Sequence, residues 1–229
     1  MTPERLARIK AVLEQRQPDL TLVADEVHKG RNLAAMVRTA DAVGMTKVHA
    51  VLPQGGYKPF RGTAMGSNRW VQVVKHKSMQ SALDEVKQAG AQLVIADATV
   101  NAVDYQTLDY CKPTALIMGG EVEGVGNLAL EHADHCIFIP MLGMVESYNV
   151  SVAAAIILAE VRRQRMQAGL YQGCKLDDAE FQRLFFKWGY KRLAHFCEVR
   201  KVPFPRLDEE GDIIDPDGSW RALAKSKEK

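Results

Sequence analysis

Six short runs rich in Val, Ile and Leu constrain this chain more than any other feature. They are LTLVADEV from Leu20, KVHAVL from Lys47, VQVV from Val71, QLVIAD from Gln92, TALIMG from Thr114 and CIFIP from Cys136. A strand with one face in water alternates apolar and polar residues, whereas a strand covered on both faces reads as a nearly continuous apolar run. These runs do not alternate cleanly, so they read as buried strands. Helical spacing separates them at Leu33 to Val43, Met79 to Ala89 and Val150 to Arg163. Strands in alternation with helices imply an α/β fold whose mostly parallel sheet is flanked by helices.

Both ends of the chain differ in character. Pro3 to Gln17 places Leu6, Ile9, Val12 and Leu13 at helical spacing among Arg5, Arg8, Lys10 and Arg16, which reads as a basic amphipathic helix. Leu176 to Lys201 reads as one or two further helices, with a loose acidic tail after them punctuated by Pro203, Pro205, Gly211, Pro216 and Gly218. The expected division is residues 1–19 as a terminal helix, 20–168 as the main domain and 169–229 as a C-terminal helical extension and tail.

With 229 residues and 47% hydrophobic content the chain can bury a full core. No apolar run reaches the roughly 20 residues of a membrane span, and the charged start lacks a secretory apolar core, so a cytoplasmic location is expected. Cys111, Cys136, Cys174 and Cys197 are scattered without a C-x-x-C pair, and no metal is expected. The net charge of +2 says little, but its distribution is uneven. From His28 to Lys77 the only acid is Asp41, against Lys29, Arg31, Arg38, Lys47, Lys58, Arg61, Arg69, Lys75 and Lys77, with a second cluster at Arg162, Arg163 and Arg165. Folded onto one face, such a stretch attracts a polyanion; with acids supplied from elsewhere in the fold it is an ordinary solvated surface.

Three segments can carry chemistry. In VHKGRNLAAMVRTADAVGM, Asn32 heads a helix and Arg38 lies six residues on, an arrangement suited to a phosphate and equally to a plain N-cap and an exposed arginine. In TALIM-GGEVEGVG, four glycines at a strand exit surround Glu121 and Glu123, letting backbone amides approach a ligand; the loop matches neither the Walker A nor the dinucleotide fingerprint and is otherwise a turn. In IPMLGMVESYNVSVAAAIILAEV, a strand ends at Pro140, loops through Gly143 and enters a long helix after Ser147 and Asn149. Its small residues Ser151, Ala153, Ala154 and Ala155 permit close packing, as in any buried helix with a Ser or Asn cap.

In combination and in this order the segments resemble the signature of the SpoU branch of the SPOUT methyltransferases: N-x5-R-x2-D-A-x-G, then G-x-E-x2-G, then I-P-M-x-G-x3-S-x-N-V-S-V-A. The resemblance covers roughly residues 20 to 165, and the two flanks look like those of the members that methylate the 2′-oxygen of guanosine 18 in the tRNA D-loop. It implies S-adenosylmethionine as methyl donor, tRNA as partner, a homodimer with an active site shared between subunits, and a C-terminal deep trefoil knot. Position by position it implies Asn32, Arg38, Glu121, Ser147 and Asn149 as the catalytic set. Ala96, Gly119, Ile139 and Tyr148 are implied as the cofactor pocket. Arg5, Arg8, Arg16, Lys29, Arg31, Lys87, Arg163 and Arg165 are expected to touch RNA phosphates. The chain departs from the pattern at Tyr148, where Leu is usual, and at Val122, where Lys is common. Another SpoU-type ribose methyltransferase acting on a different tRNA nucleotide or on ribosomal RNA is the alternative within enzymes. A non-catalytic RNA-binding module is the alternative outside them, and an oxidoreductase lacks its glycine fingerprint.

Overall fold

The computed structural model describes residues 1–52, 69–97, 101–120 and 124–226. Lys58, Arg61, Glu121, Val122 and Glu123, all singled out in the sequence, lie outside the described residues. The chain divides into two compact units, residues 17–171 and a second built from residues 1–16 with 172–229. The terminal helix and the C-terminal extension, expected as separate pieces, therefore form one unit.

The elements of the larger unit are β1 (Leu20–Ala24), α2 (Gly30–Ala42), β2 (Lys47–Val51), β3 (Gln72–His76), α3 (Met79–Gln88), β4 (Gln92–Ala96), β5 (Val103–Asp104), β6 (Thr114–Met118), α4 (Asn127–His132), β7 (His135–Phe138) and α5 (Val150–Gln167). Among the described residues seven strands form one sheet in the order β3-β2-β1-β6-β4-β7-β5, and every neighbouring pair is parallel. The six expected runs all become strands; two-residue β5 carries too little apolar sequence to be read in advance. Side chains nevertheless alternate along each strand. Leu20, Leu22 and Ala24 join Leu116, Met118 and Val94 in the core beneath α2 and α5, whereas Val23, Ala115, Ile117, Leu93 and Ile95 join the core beneath α3 and α4. Both sets are apolar because both faces are covered, which explains the missing alternation in the sequence.

Strand order, more than strand identity, determines where a ligand can bind. The chain lays β1, β2 and β3 outward in one direction, and β4 is separated from β1 by β6, which enters later. In open parallel sheets, ligands bind beyond the carboxyl ends of strands where the order of winding reverses.

On the other side of the sheet, His49 of β2 and His76 of β3 are buried with Nδ1 and Nε2 2.9 Å apart. Burial holds the His49 ring well below the usual imidazole range, at about 4, with the Glu85 carboxylate opposing the shift.

The smaller unit contains α1 (Pro3–Glu14), α6 (Asp178–Gly189), α7 (Lys191–Arg200) and α8 (Ser219–Ser226). Ile9 and Leu13 of α1, Leu184, Phe185, Phe186 and Trp188 of α6, and Ala194 and Cys197 of α7 are buried. Thr2 caps α1 and Asp177 caps α6 through side-chain oxygens. The tail is more ordered than expected. Leu207 and Ile213 pair antiparallel, and α8 comes after them.

Candidate active site

The site begins at the carboxyl end of β6, where Met118 leads into Gly119 and Gly120. Gly120 and Gly124 each donate an N–H to the other's carbonyl, at 2.9 and 3.2 Å, so these two glycines are held side by side. A β-carbon at Gly119 would run into the carbonyl group of Gly124 and the amide nitrogen of Val125. Gly124 itself has φ of +70°, a left-handed conformation that glycine adopts without strain. The two glycines are thus required by close approach and by backbone shape. Asp25, at the exit of β1, ties this loop to its neighbour: its Oδ2 accepts the Gly126 N–H at 3.0 Å, and its own N–H donates to the Met118 carbonyl at 2.9 Å. Burial pushes the Asp25 carboxyl above the usual carboxylate range; the Gly126 hydrogen bond opposes that shift and nearby Glu26 adds to it.

The second part is the entrance to α5. Asn149 is its N-cap, with Oδ1 accepting from the Ser151 N–H at 3.0 Å and from the Ser151 hydroxyl at 2.6 Å. The Asn149 Nδ2 also donates to Asn32 Oδ1 at 3.4 Å, joining segments 117 positions apart in the chain. Asn32 is not an N-cap as the sequence suggested. Helix α2 begins at Gly30 with Lys29 at the cap, which places Asn32 inside the first turn and buries it beside α5.

Between these two parts lies a cavity of about 490 Å³. Ala96, Gly119, Ile139 and Tyr148 all line it, as do Ser147 and Asn149, so the expected cofactor residues and two of the expected catalytic residues converge on one space. Asp97, Glu146 and Lys29 line it as well. Asp97 is a lining residue that the sequence motifs do not include, although an acid directly after a buried strand is a readable signal. Glu146 stands next to Ser147 within the third motif. The lining offers an apolar slot from Ala96, Met118, Ile137 and Ile139 together with two carboxylates. That combination suits an organic cation bearing a flat, weakly polar ring.

Arg38 is exposed on α2 and is not among the residues lining the cavity. It stands six positions after Asn32, so at 100° per residue the two lie about 120° apart around the helix.

Replacing Gly119 with alanine tests the close approach directly. The obstruction is backbone, which cannot swing away as a flexible side chain would. Overpacking of this kind costs about 1–3 kcal/mol, and the displaced loop is the cavity wall. The expected result is a lower urea midpoint with cofactor affinity reduced at least about tenfold. Unchanged affinity by calorimetry would mean the loop yields freely.

The cations expected to touch RNA divide into three groups. Arg8, Lys29, Arg31 and Lys87 are exposed. Arg5 is exposed but donates to the Trp188 carbonyl at 2.8 Å, and Arg163 is exposed but held by both oxygens of Glu160 at 2.6 and 2.7 Å. Arg16 and Arg165 are corrections. Arg16 is buried with its guanidinium 4.9 Å from the centre of the Trp188 ring. Arg165 is fully buried, donating to Asp19 at 2.7 Å, to Gln17 at 3.1 Å and to the carbonyls of Tyr110 and Lys112 at 2.9 Å each. A guanidinium whose hydrogens are spent inside the fold cannot reach a phosphate. Helical spacing alone does not tell an exposed arginine from a buried one whose partners come from distant segments.

A parallel sheet with a cavity at its carboxyl edge, walled by glycines and by a helix cap that joins two motif asparagines, is a ligand-binding α/β site, and the sequence assigns its family. Residues 19–159 match the SpoU rRNA Methylase family and residues 163–216 its C-terminal family, so the chain belongs to the SpoU methylases. It is 45% identical over 228 residues, covering 99% of both chains, to the tRNA (guanosine(18)-2'-O)-methyltransferase of Escherichia coli K12. The crystal structure of the Aquifex aeolicus TrmH/SpoU tRNA modifying enzyme is similar with a TM-score of 0.77 and 40% identity, covering 83% of this chain and 97% of that one. The SpoU methyltransferase AviRb from Streptomyces viridochromogenes, solved in complex with the cofactor AdoMet, has a TM-score of 0.58 and 27% identity, covering 73% of this chain and 67% of that one.

Proposed function

We propose that the chain transfers a methyl group from S-adenosylmethionine to the ribose 2′-hydroxyl of guanosine 18 in tRNA. The observation that carries this reading is the likeness across 99% of both chains to an enzyme whose name states that reaction. The cavity fits the donor. Its volume lies within the usual range of about 300–1,000 Å³, its apolar slot would accept an adenine, and Asp97 and Glu146 in its lining would complement the positive charge of a sulfonium. The wall at Gly119 admits no side chain, leaving backbone groups to read the ring edge. Tyr148, the departure from the family pattern, stands in the lining where it can stack on that ring.

S-adenosylmethionine supplies an electrophilic methyl group. The protein must align a ribose hydroxyl with that methyl and take up the hydroxyl proton. Arg38 is the residue we assign to the hydroxyl. A guanidinium is a poor general base, so Arg38 orients the oxygen and a neighbouring phosphate and stabilises the developing negative charge, leaving phosphate or water to receive the proton. Asn32 and Asn149 hold the ribose and the loop, Ser147 adds a hydroxyl at the cavity edge, and Glu121 joins the set by its motif position alone. Arg8, Lys29, Arg31 and Lys87 supply a diffuse attraction for tRNA phosphates.

The same reading includes a homodimer, a trefoil knot and a cytoplasmic location, where tRNA is modified. Among the described residues no helix is long and apolar enough to cross a membrane. Leu142 and Met144 are fully exposed, and Val145, Tyr148 and Val152 are exposed as well, an apolar patch beside the α5 entrance that a second copy would cover. Arg38 is absent from its own chain's cavity lining, which a site completed by the partner's arginine would explain.

The test is transfer of labelled methyl to unmodified tRNA transcripts with guanosine 18 or a substitute there. Label lost with that guanosine supports the proposal. Label that persists keeps the enzyme class and moves the target.

A further inference from the structure

We infer that His49, His76 and Glu85 form a binding site for a divalent transition-metal ion, with zinc as its best-suited occupant, on the opposite side of the sheet from the cofactor cavity. The three side chains come from β2, β3 and α3, and their donor atoms all lie within 4.8 Å of one another. His49 Nδ1 and His76 Nε2 are 2.9 Å apart, and Glu85 Oε2 stands 4.0 Å from the first and 3.8 Å from the second.

Those distances argue for a shared ion over a simple hydrogen-bonded pair. The two rings are within hydrogen-bond distance of each other, and the Glu85 carboxylate, too far from either ring to accept a hydrogen bond, stands within ion-pair range of both. It is nearly equidistant from both. A triangle with these sides has its centre about 2.1 Å from each corner, which matches zinc–nitrogen and zinc–carboxylate bond lengths. An ion slightly out of that plane would hold two imidazoles and one carboxylate and keep a fourth position open toward the half-exposed Glu85 side. The outer contact agrees. His76 Nδ1 lies 3.3 Å from the Ser81 hydroxyl, which itself donates to the Ser78 carbonyl at 2.8 Å, so the second ring nitrogen can donate outward and turn Nε2 inward as a ligand. Metal-bound histidines are oriented in this way. None of the four cysteines takes part.

The ion would clip two strands to the helix that covers them, near the edge of the sheet and away from the chemistry. The test uses the full-length protein stripped with chelator and dialysed. Zinc content after reloading with excess zinc and desalting, thermal unfolding with zinc or magnesium added, and the visible absorption of the cobalt-substituted protein are then measured. Expected are one zinc per chain, a rise in Tm of several degrees with zinc and none with magnesium, and a cobalt spectrum without thiolate charge transfer. Glu85→Gln, changed at a half-exposed position, should keep the fold and weaken zinc binding at least about tenfold. No zinc response in the wild type, a response unaltered by Glu85→Gln, or a thiolate band from a cysteine would each overturn the assignment. Methyl transfer to tRNA is read separately, so failure here leaves the proposed function standing.

Discussion

Arg38→Lys is expected to lower turnover by about 10²–10³-fold while leaving the affinity for S-adenosylmethionine near that of the wild type. The substitution preserves a positive charge on a flexible stem, so an effect of charge alone would be small. What it removes is the planar fork that can hold a ribose oxygen and a phosphate together. Cofactor affinity is spared because Arg38 does not line its own chain's cavity. The measurements are single-turnover methylation of a tRNA transcript and calorimetry with the cofactor alone. Near-normal turnover would reduce Arg38 to a general electrostatic role, whereas loss of cofactor binding would place it against the donor instead of the hydroxyl. Mixing Arg38→Ala chains with Gly119→Ala chains adds a further reading. Partial recovery of activity in the mixture is expected if each site takes its cavity from one chain and its arginine from the other.

The second large effect is structural. Arg165→Met should destabilise the protein by about 3–5 kcal/mol, the usual cost of removing one partner from a buried charged network. Arg165 is fully buried at the last turn of α5 and reaches Asp19 and Gln17 before β1 together with the Tyr110 and Lys112 carbonyls before β6. Methionine fills much of the stem's volume but leaves those carbonyls without a donor. Asp19→Asn should cost far less, because the Asp19 side chain is 39% exposed and water replaces part of what it loses. Urea midpoints of the two variants separate these cases, and equal losses would mean the ion pair dominates over the carbonyl contacts. The same pair of variants tests the reassignment of Arg165 away from RNA. At temperatures where Arg165→Met remains folded, the dependence of tRNA binding on salt should match that of the wild type, since a true phosphate contact would lower the slope by about one.

The strands are legible in the sequence because burial on both faces leaves a mark in composition that no neighbour can erase. Helix α5 is legible from its small residues and from the Asn149 cap, both of which act within a few positions of the chain. Asn32 is harder. Residue type suggests a cap, but Lys29 takes that place and the asparagine turns inward to meet Asn149, a partner 117 positions away. The two buried arginines mislead for the same reason, since a guanidinium's surroundings are set by carbonyls and rings from other segments. The glycine loop gives a weaker but sound signal. Its composition indicates close approach, while which glycine is indispensable depends on the position of Gly124 against Gly119.

Sequence by itself determined the α/β class, the family and the meeting of Ala96, Gly119, Ile139, Ser147, Tyr148 and Asn149 at one site, because apolar periodicity, capping and motif order are local properties of the chain. Only the tertiary structure decided the strand order, the burial of Arg16 and Arg165, the separation of Arg38 from its own cavity, and the meeting of His49, His76 and Glu85. Each of these depends on distances between segments far apart in sequence, and such distances are fixed by packing the whole sheet.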